Sequence, residues 1–176
     1  MTRRHGVRCA GCGRPTEVPH VTSSSNGNGQ VHRDTLVLPK RFHAKVDIRW
    51  SDMDVFQHVN HARMVTLLEE ARIPWLFEDG RPTAGMREGC VLADLRVRYR
   101  GQLRHEDTPL DIAMWIEQLR AVDFTVGYEV RANGAAPDSP AAVVASTQIA
   151  AFDIKTQRLR RLTAPEREYL SEWMDK

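Results

Sequence analysis

Cysteine is scarce in this chain: Cys9, Cys12 and Cys90 are the only three in 176 residues. An odd, sparse count excludes a disulfide framework and fits a reducing compartment. No apolar run approaches the roughly 20 residues that cross a bilayer, so no membrane partner is expected. The basic start (Met1-Thr2-Arg3-Arg4-His5) is followed by no apolar stretch, which predicts the absence of a secretory signal and a cytoplasmic location. A basic body is also missing. Residues 1–41 carry seven Lys/Arg against two Asp/Glu, whereas the remainder carries 18 against 21. The basic character therefore belongs to the N-terminal stretch, and a nucleic-acid-binding face on the body is not expected. Internal repeats are absent.

What remains is a globular composition, 41% hydrophobic and 27% charged, with length for one domain and something left over. The surplus is N-terminal. Residues 1–38 show no apolar period and include Ser23-Ser24-Ser25-Asn26-Gly27-Asn28-Gly29, so they are expected to form a flexible, disordered tail ahead of a domain at 39–176. Cys9-Ala10-Gly11-Cys12 is a lone CxxC that His5 and His20 would complete as a zinc site. A structural zinc module usually shows a second clear pair, which is missing, so no metal is assigned.

From Phe42 the pattern becomes periodic. Phe42 to Trp50 reads as a strand and Ser51 to Gln57 as a polar turn. His61 to about Ile73 reads as a helix whose apolar side is Met64, Val65, Leu67, Leu68, Ala71 and Trp75. Asn60 suits its N-cap, Val59 and Met64 are placed for a hydrophobic staple, and Pro74 is expected to bend or end it. Three alternating strands follow. The first puts Val91, Ala93, Leu95, Val97 and Tyr99 on one face; the second, Leu110, Ile112, Met114 and Ile116; the third, Val122, Phe124, Val126, Tyr128 and Val130. Only Leu119 to Ala121 separate the last two, which predicts a hairpin. Ala142 to Ile154 is apolar on both faces and should be an interior strand. Thr163-Ala164-Pro165-Glu166 is a capping box opening a short helix to about Trp173. One apolar helix followed by a run of antiparallel strands predicts an α+β domain with the helix packed on one face of the sheet.

The chemistry concentrates at Arg49-Trp50-Ser51-Asp52-Met53-Asp54-Val55-Phe56-Gln57-His58-Val59-Asn60-His61. Two carboxylates and two histidines precede a helix start, where backbone N–H groups lack partners and the macrodipole is positive. Aimed at a carbonyl oxygen, those groups stabilise the charge that develops when a nucleophile adds. A carboxylate just upstream can attack the carbonyl or activate water. The arrangement suits acyl transfer to water without metal or cofactor. Spacing alone also allows Asp52 and Asp54 to be turn and cap residues and His58 a surface imidazole, since no nucleophile–base pairing in the pattern makes catalysis unique.

The same run, followed by Leu68-Glu69-Glu70-Ala71-Arg72 and later by Tyr99-Arg100-Gly101-Gln102-Leu103 and Asp107, resembles the signature of hotdog-fold thioesterases, the 4-hydroxybenzoyl-CoA thioesterase family and its acyl-carrier-protein relatives. The resemblance spans roughly residues 40–165. It implies an antiparallel sheet wrapped around one long central helix, and hydrolysis of an acyl-CoA or acyl-ACP by a homodimer assembled further into a homotetramer. It implies Asp54 as nucleophile or base, His61 as the helix-start residue whose N–H polarises the carbonyl, and His58 as the histidine of the plant type. Asn60, Tyr99 and Arg100 are its expected substrate contacts. The chain departs from the pattern at Phe56, where the plant type has Asn, and at Gln57, His61, Met64 and Glu106, where Gly, Asn, Tyr and Gly are frequent.

Several residues carry two readings. Glu69 or Glu70 would be the nucleophile in some hotdog thioesterases, but Glu69 and Arg72 also stand as an i,i+3 ion pair. Arg96, Arg98 and Arg100 make one basic stripe. Lys155, Arg158, Arg160 and Arg161 make a second, and Arg160 and Arg161 are the expected phosphate contacts. Cys90 reads as a small buried filler. Two competing functions are an acyl-CoA hydratase or dehydratase and a non-catalytic acyl-CoA-binding protein. The first is disfavoured by a lack of resemblance: hydratases of the MaoC type carry an Asp, then Asn-Pro, then His five residues after the Asp, whereas His58 is four residues after Asp54 with no Asn-Pro between.

Overall fold

A computed structural model describes residues 40–174. The expected tail and its CxxC lie outside the described residues. Within them the chain runs β1 (Phe42–Val46), α1 (His61–Leu76), β2 (Cys90–Tyr99), β3 (Leu110–Leu119), β4 (Asp123–Arg131), β5 (Val143–Asp153), β6 (Arg158–Leu159) and α2 (Ala164–Ser171). Short 3₁₀ turns at Trp50–Asp52, Ala84–Glu88 and His105–Asp107 join them. The antiparallel sheet has the order β1-β3-β4-β5-β2, with β6 paired to the end of β5. It curls around α1 in the expected hotdog arrangement.

The core lies between sheet and helix. Met64, Leu67, Leu68, Ala71 and Trp75 recur at helical spacing along one side of α1, and all are buried. They meet Ile112, Met114 and Ile116 of β3 and Phe124, Val126, Tyr128 and Val130 of β4, also fully buried. The hairpin forms as expected, with Leu119 opposite Phe124. β5 is interior, between β4 and β2.

Four expectations need correction. The first strand stops at Val46, not Trp50, because its partner β3 begins at Leu110, opposite Val46. Ile48 N–H instead donates to Thr108 Oγ1 at 3.0 Å. Helix α1 passes through Pro74 to Leu76. Proline forfeits its own donor there and its ring crowds the carbonyl of Glu70, and burial of Trp75 and Leu76 holds the last turn nonetheless. Trp75 stacks on Phe42 at 5.7 Å and meets the edge of Trp173 at 5.4 Å. Strand β2 does not alternate throughout: the register slips between Leu92 and Asp94. Tyr99, Val97 and Leu95 stand opposite Val143, Ala145 and Thr147, and beyond the bulge Leu92 and Cys90 stand opposite Ile149 and Ala151. Val91 therefore lies on the other face from Leu95, since one extra residue inverts the alternation. Helix α2 ends at Ser171, and Trp173 leaves it to accept Ile116 N–H at 3.0 Å. The capping box that opens α2 is present, with Thr163 Oγ1 accepting Glu166 N–H and Glu166 Oε2 accepting Thr163 N–H.

Candidate active site

The turn between β1 and α1 is built by its own carboxylates. Asp52 is buried and accepts Arg49 N–H at 2.8 Å, while its carbonyl accepts Asn60 N–H at 2.8 Å. Both ends of the loop are thereby pinned to one residue. Asp54 Oδ1 accepts two backbone N–H groups, Phe56 at 2.8 Å and His58 at 3.2 Å. Gln57 completes the turn with φ of 63°, in the left-handed region. Glycine is frequent there in the resembling family and avoids the strain of that conformation. Met53 bridges Val59 in antiparallel fashion, and Val59 N–H donates to Leu103 O at 2.8 Å, so the 101–107 loop lies beside the turn.

Asn60 caps α1, its Oδ1 accepting Ala62 N–H at 2.9 Å. The His61 N–H, at the first helical position, stays outside the helical ladder. The Tyr99 hydroxyl donates to His61 O at 2.9 Å and ties the end of β2 to the first turn of α1. Burial pushes the Tyr99 phenol above its ordinary value, so it remains a donor at neutral pH.

Two cavities flank this turn. One, about 410 Å³, is lined by Trp50, Met53, Asp54, Gln57, Arg104, His105 and Glu106. The other, about 150 Å³, is lined by His58, Val59, Met64, Tyr99, Gly101, Gln102, Leu103 and Val143. His58 Nε2 is buried there without a partner. Asp54, His58, Asn60, His61 and Tyr99 thus come together at one end of the sheet, although Asp54 and His58 line different cavities. Asn60 and Tyr99 spend their polar groups holding the helix start. Arg100 is exposed and forms no ion pair among the described residues.

Arg160, expected as a phosphate contact, is committed elsewhere. Its guanidinium makes two hydrogen bonds to Glu166, at 2.9 and 2.7 Å. Burial alone would raise the Glu166 carboxyl, but hydrogen bonds from Arg160 and from Thr163 N–H outweigh it and hold the pKa below its ordinary value. Neighbouring Arg161 is exposed. The helix glutamates are both paired, Glu69 with Arg72 at 3.0 Å and Glu70 with Arg49 at 3.2 Å. Cys90 is only partly buried, on the edge strand β2, and burial raises its thiol pKa.

Sequence reasoning missed His105 and Arg104. Nothing local marks them; they reach the site because the loop bearing them is held against the turn. Trp50 stood inside the quoted motif without a role. Its ring stacks on that of His105 at 4.4 Å and 14°.

The helix-entry motif, both helices and every strand but β1 fall within residues 48–174, which match the model of the thioesterase-like superfamily. The chain belongs to that superfamily. No protein of curated function matches it in sequence. Among solved structures it is similar to a predicted thioesterase from Bacillus stearothermophilus at 18% identity and TM-score 0.66, over 78% of this chain and 98% of that one. It is similar to the probable thioesterase YbaW of Escherichia coli at 25% identity and TM-score 0.62, over 76% and 98%. A thioesterase from Thermus thermophilus, in complex with coenzyme A and zinc, is similar at 21% identity and TM-score 0.59, over 73% and 90%. Membership supports thioester hydrolysis as the general chemistry of this thioesterase-like chain. Among the described residues no helix is long and apolar enough to cross a membrane.

Proposed function

We propose that the protein hydrolyses an acyl-CoA thioester to the free acid and coenzyme A, with Asp54 as nucleophile or general base. The observation that supports this reading is the placement of Asp54: it lines the 410 Å³ cavity, in the turn that leads into the capped start of α1. As a base, Asp54 takes a proton from water while the water oxygen bonds to the carbonyl carbon. As a nucleophile, its carboxylate bonds to that carbon, and the anhydride left once the C–S bond has broken is hydrolysed by water in a second step. By either route the carbonyl oxygen gains negative charge, which the His61 N–H and the helix dipole stabilise. The C–S bond then breaks, and the departing thiolate takes up a proton.

The ion pairs of Glu69 and Glu70 favour a structural part for both helix glutamates. Coenzyme A in the Thermus thermophilus relative favours a CoA ester over an acyl-ACP, with Arg100 and Arg161 as phosphate contacts. The assembly is proposed to be a homodimer, arranged further as a homotetramer. Strand β2 is a ten-residue edge that leaves Val91, Leu92 and Tyr99 at least 40% exposed, the kind of edge that soluble proteins cover. The test is thiol release from a panel of acyl-CoAs and acyl-ACPs. Release that is lost in Asp54→Asn supports the reading; no release from any ester refutes it.

A further inference from the structure

The cavity beside Asp54 contains a feature that the hydrolysis itself does not use. Trp50 is 78% exposed although it is a large apolar ring in a hydrogen-bonded turn. His105 covers one face of the indole, nearly parallel to it, and the other face is open. Met53 lines the same cavity, and its polarizable thioether is a favourable neighbour for an aromatic edge. At about 410 Å³ the space fits a small organic group, and it is too small for an acyl group together with the nucleotide of coenzyme A. In a CoA ester the adenine is separated from the thioester by the whole pantetheine arm. With the thioester at Asp54, either the acyl group or the pantetheine arm adjoins Trp50, and of these two only an acyl group can carry an extended flat π-system to the open indole face.

We propose that Trp50, backed by His105, selects the acyl group, favouring flat, conjugated acyl groups over saturated ones of equal size. The proposal rests on the reading of Asp54 as the reacting carboxylate. A flat π-system stacks on the open indole face in offset geometry, and a puckered ring makes fewer contacts there. His105 holds the indole in place and acts as a positioning residue.

Benzoyl-CoA and cyclohexanecarbonyl-CoA have the same number of heavy atoms and differ in planarity. Their intrinsic reactivities differ, so the quantity to measure is the ratio of their kcat/KM values in the wild type divided by the same ratio in Trp50→Leu. That quotient is expected to be about tenfold. Trp50→Phe should keep most of the preference, and His105→Ala should lose part of it. The exposure of Trp50 makes loss of folding in these variants unexpected, and circular dichroism checks it. Kd values for the ketone analogues, with methylene in place of sulfur, should show the same quotient without any chemistry. A quotient near one in both measurements overturns the proposal, as does a preference for the saturated ring that Trp50→Leu abolishes. If the wild type hydrolyses neither ester, the reading of Asp54 fails. The analogue Kd values then still decide whether Trp50 selects flat groups.

Discussion

The backbone N–H of His58 donates to Oδ1 of Asp54 at 3.2 Å, yet the two residues line different cavities. The carboxylate thus fixes its own position through backbone groups and does not depend on the imidazole. Replacing Asp54 by Asn leaves an Oδ1 acceptor for Phe56 and His58, so the turn should persist while the charge is lost. Asp54→Asn is expected to lower kcat by at least about a hundredfold with little change in KM. Steady-state thiol release checks this, with Glu69→Gln and Glu70→Gln alongside. Near-normal turnover in Asp54→Asn together with inactive glutamate variants would move the nucleophile to α1.

His58 makes no hydrogen bond to Asp54 through its ring, and its Nε2 is buried in the smaller cavity without a partner. His58→Ala should therefore reduce kcat by less than the roughly hundredfold typical of a lost acid–base group, with the larger effect on KM. A kcat loss equal to that of Asp54→Asn would instead indicate the plant-type arrangement, in which the histidine takes part in the chemistry.

Asp52 should behave differently from Asp54. It is buried, and both its carboxylate and its carbonyl hold the turn closed. Asp52→Ala leaves the Arg49 N–H without its acceptor, at an expected cost of about 1–3 kcal/mol. Urea unfolding followed by far-UV circular dichroism would measure it, and an unchanged midpoint would show the bond to be dispensable.

The Arg160–Glu166 pair makes the fold acid-sensitive. Folding lowers the Glu166 pKa, so its contribution is complete above the unfolded value near 4.5 and is lost as pH falls through the folded value. Glu166→Gln should lower stability at pH 7 by about 2–3 kcal/mol. That is less than for a fully buried pair, because the Arg160 side chain is 29% exposed. Melting temperatures of wild type and variant should converge as pH falls through the folded value. Parallel curves across pH 3–7 would show that the carboxylate charge is not involved.

The exposed edge of β2 predicts that the isolated protein sediments as a dimer or larger. Leu92 is half exposed near the bulge that re-aims this strand. Leu92→Glu should weaken association at least about tenfold through an unpaired charge at the edge. Sedimentation velocity from nanomolar to micromolar concentration tests it; a wild-type monomer throughout would refute the assembly.

The order of elements apart from the two-residue β6, the buried side of α1, its Asn60 cap, the β3–β4 hairpin and the capping box at Thr163 were all legible in the sequence. Each depends on periodicity or on a side chain that bonds within four residues of itself. The thioesterase resemblance was legible for the same reason, since its motif is a contiguous turn and helix start. Tertiary structure decided the rest. The bulge after Leu92 depends on register against β5, and the passage of α1 through Pro74 depends on burial of Trp75 by Phe42 and Trp173. Arg160 and Glu166 stand six residues apart, and only the return of the chain from β6 into α2 lets them pair. His105 reached Trp50 because Leu103 accepts Val59 N–H, a contact between segments more than 40 residues apart. Local patterns fix which residues can form a helix start or a strand face. Which side chains meet across loops depends on long-range hydrogen bonds and packing, which periodicity does not encode.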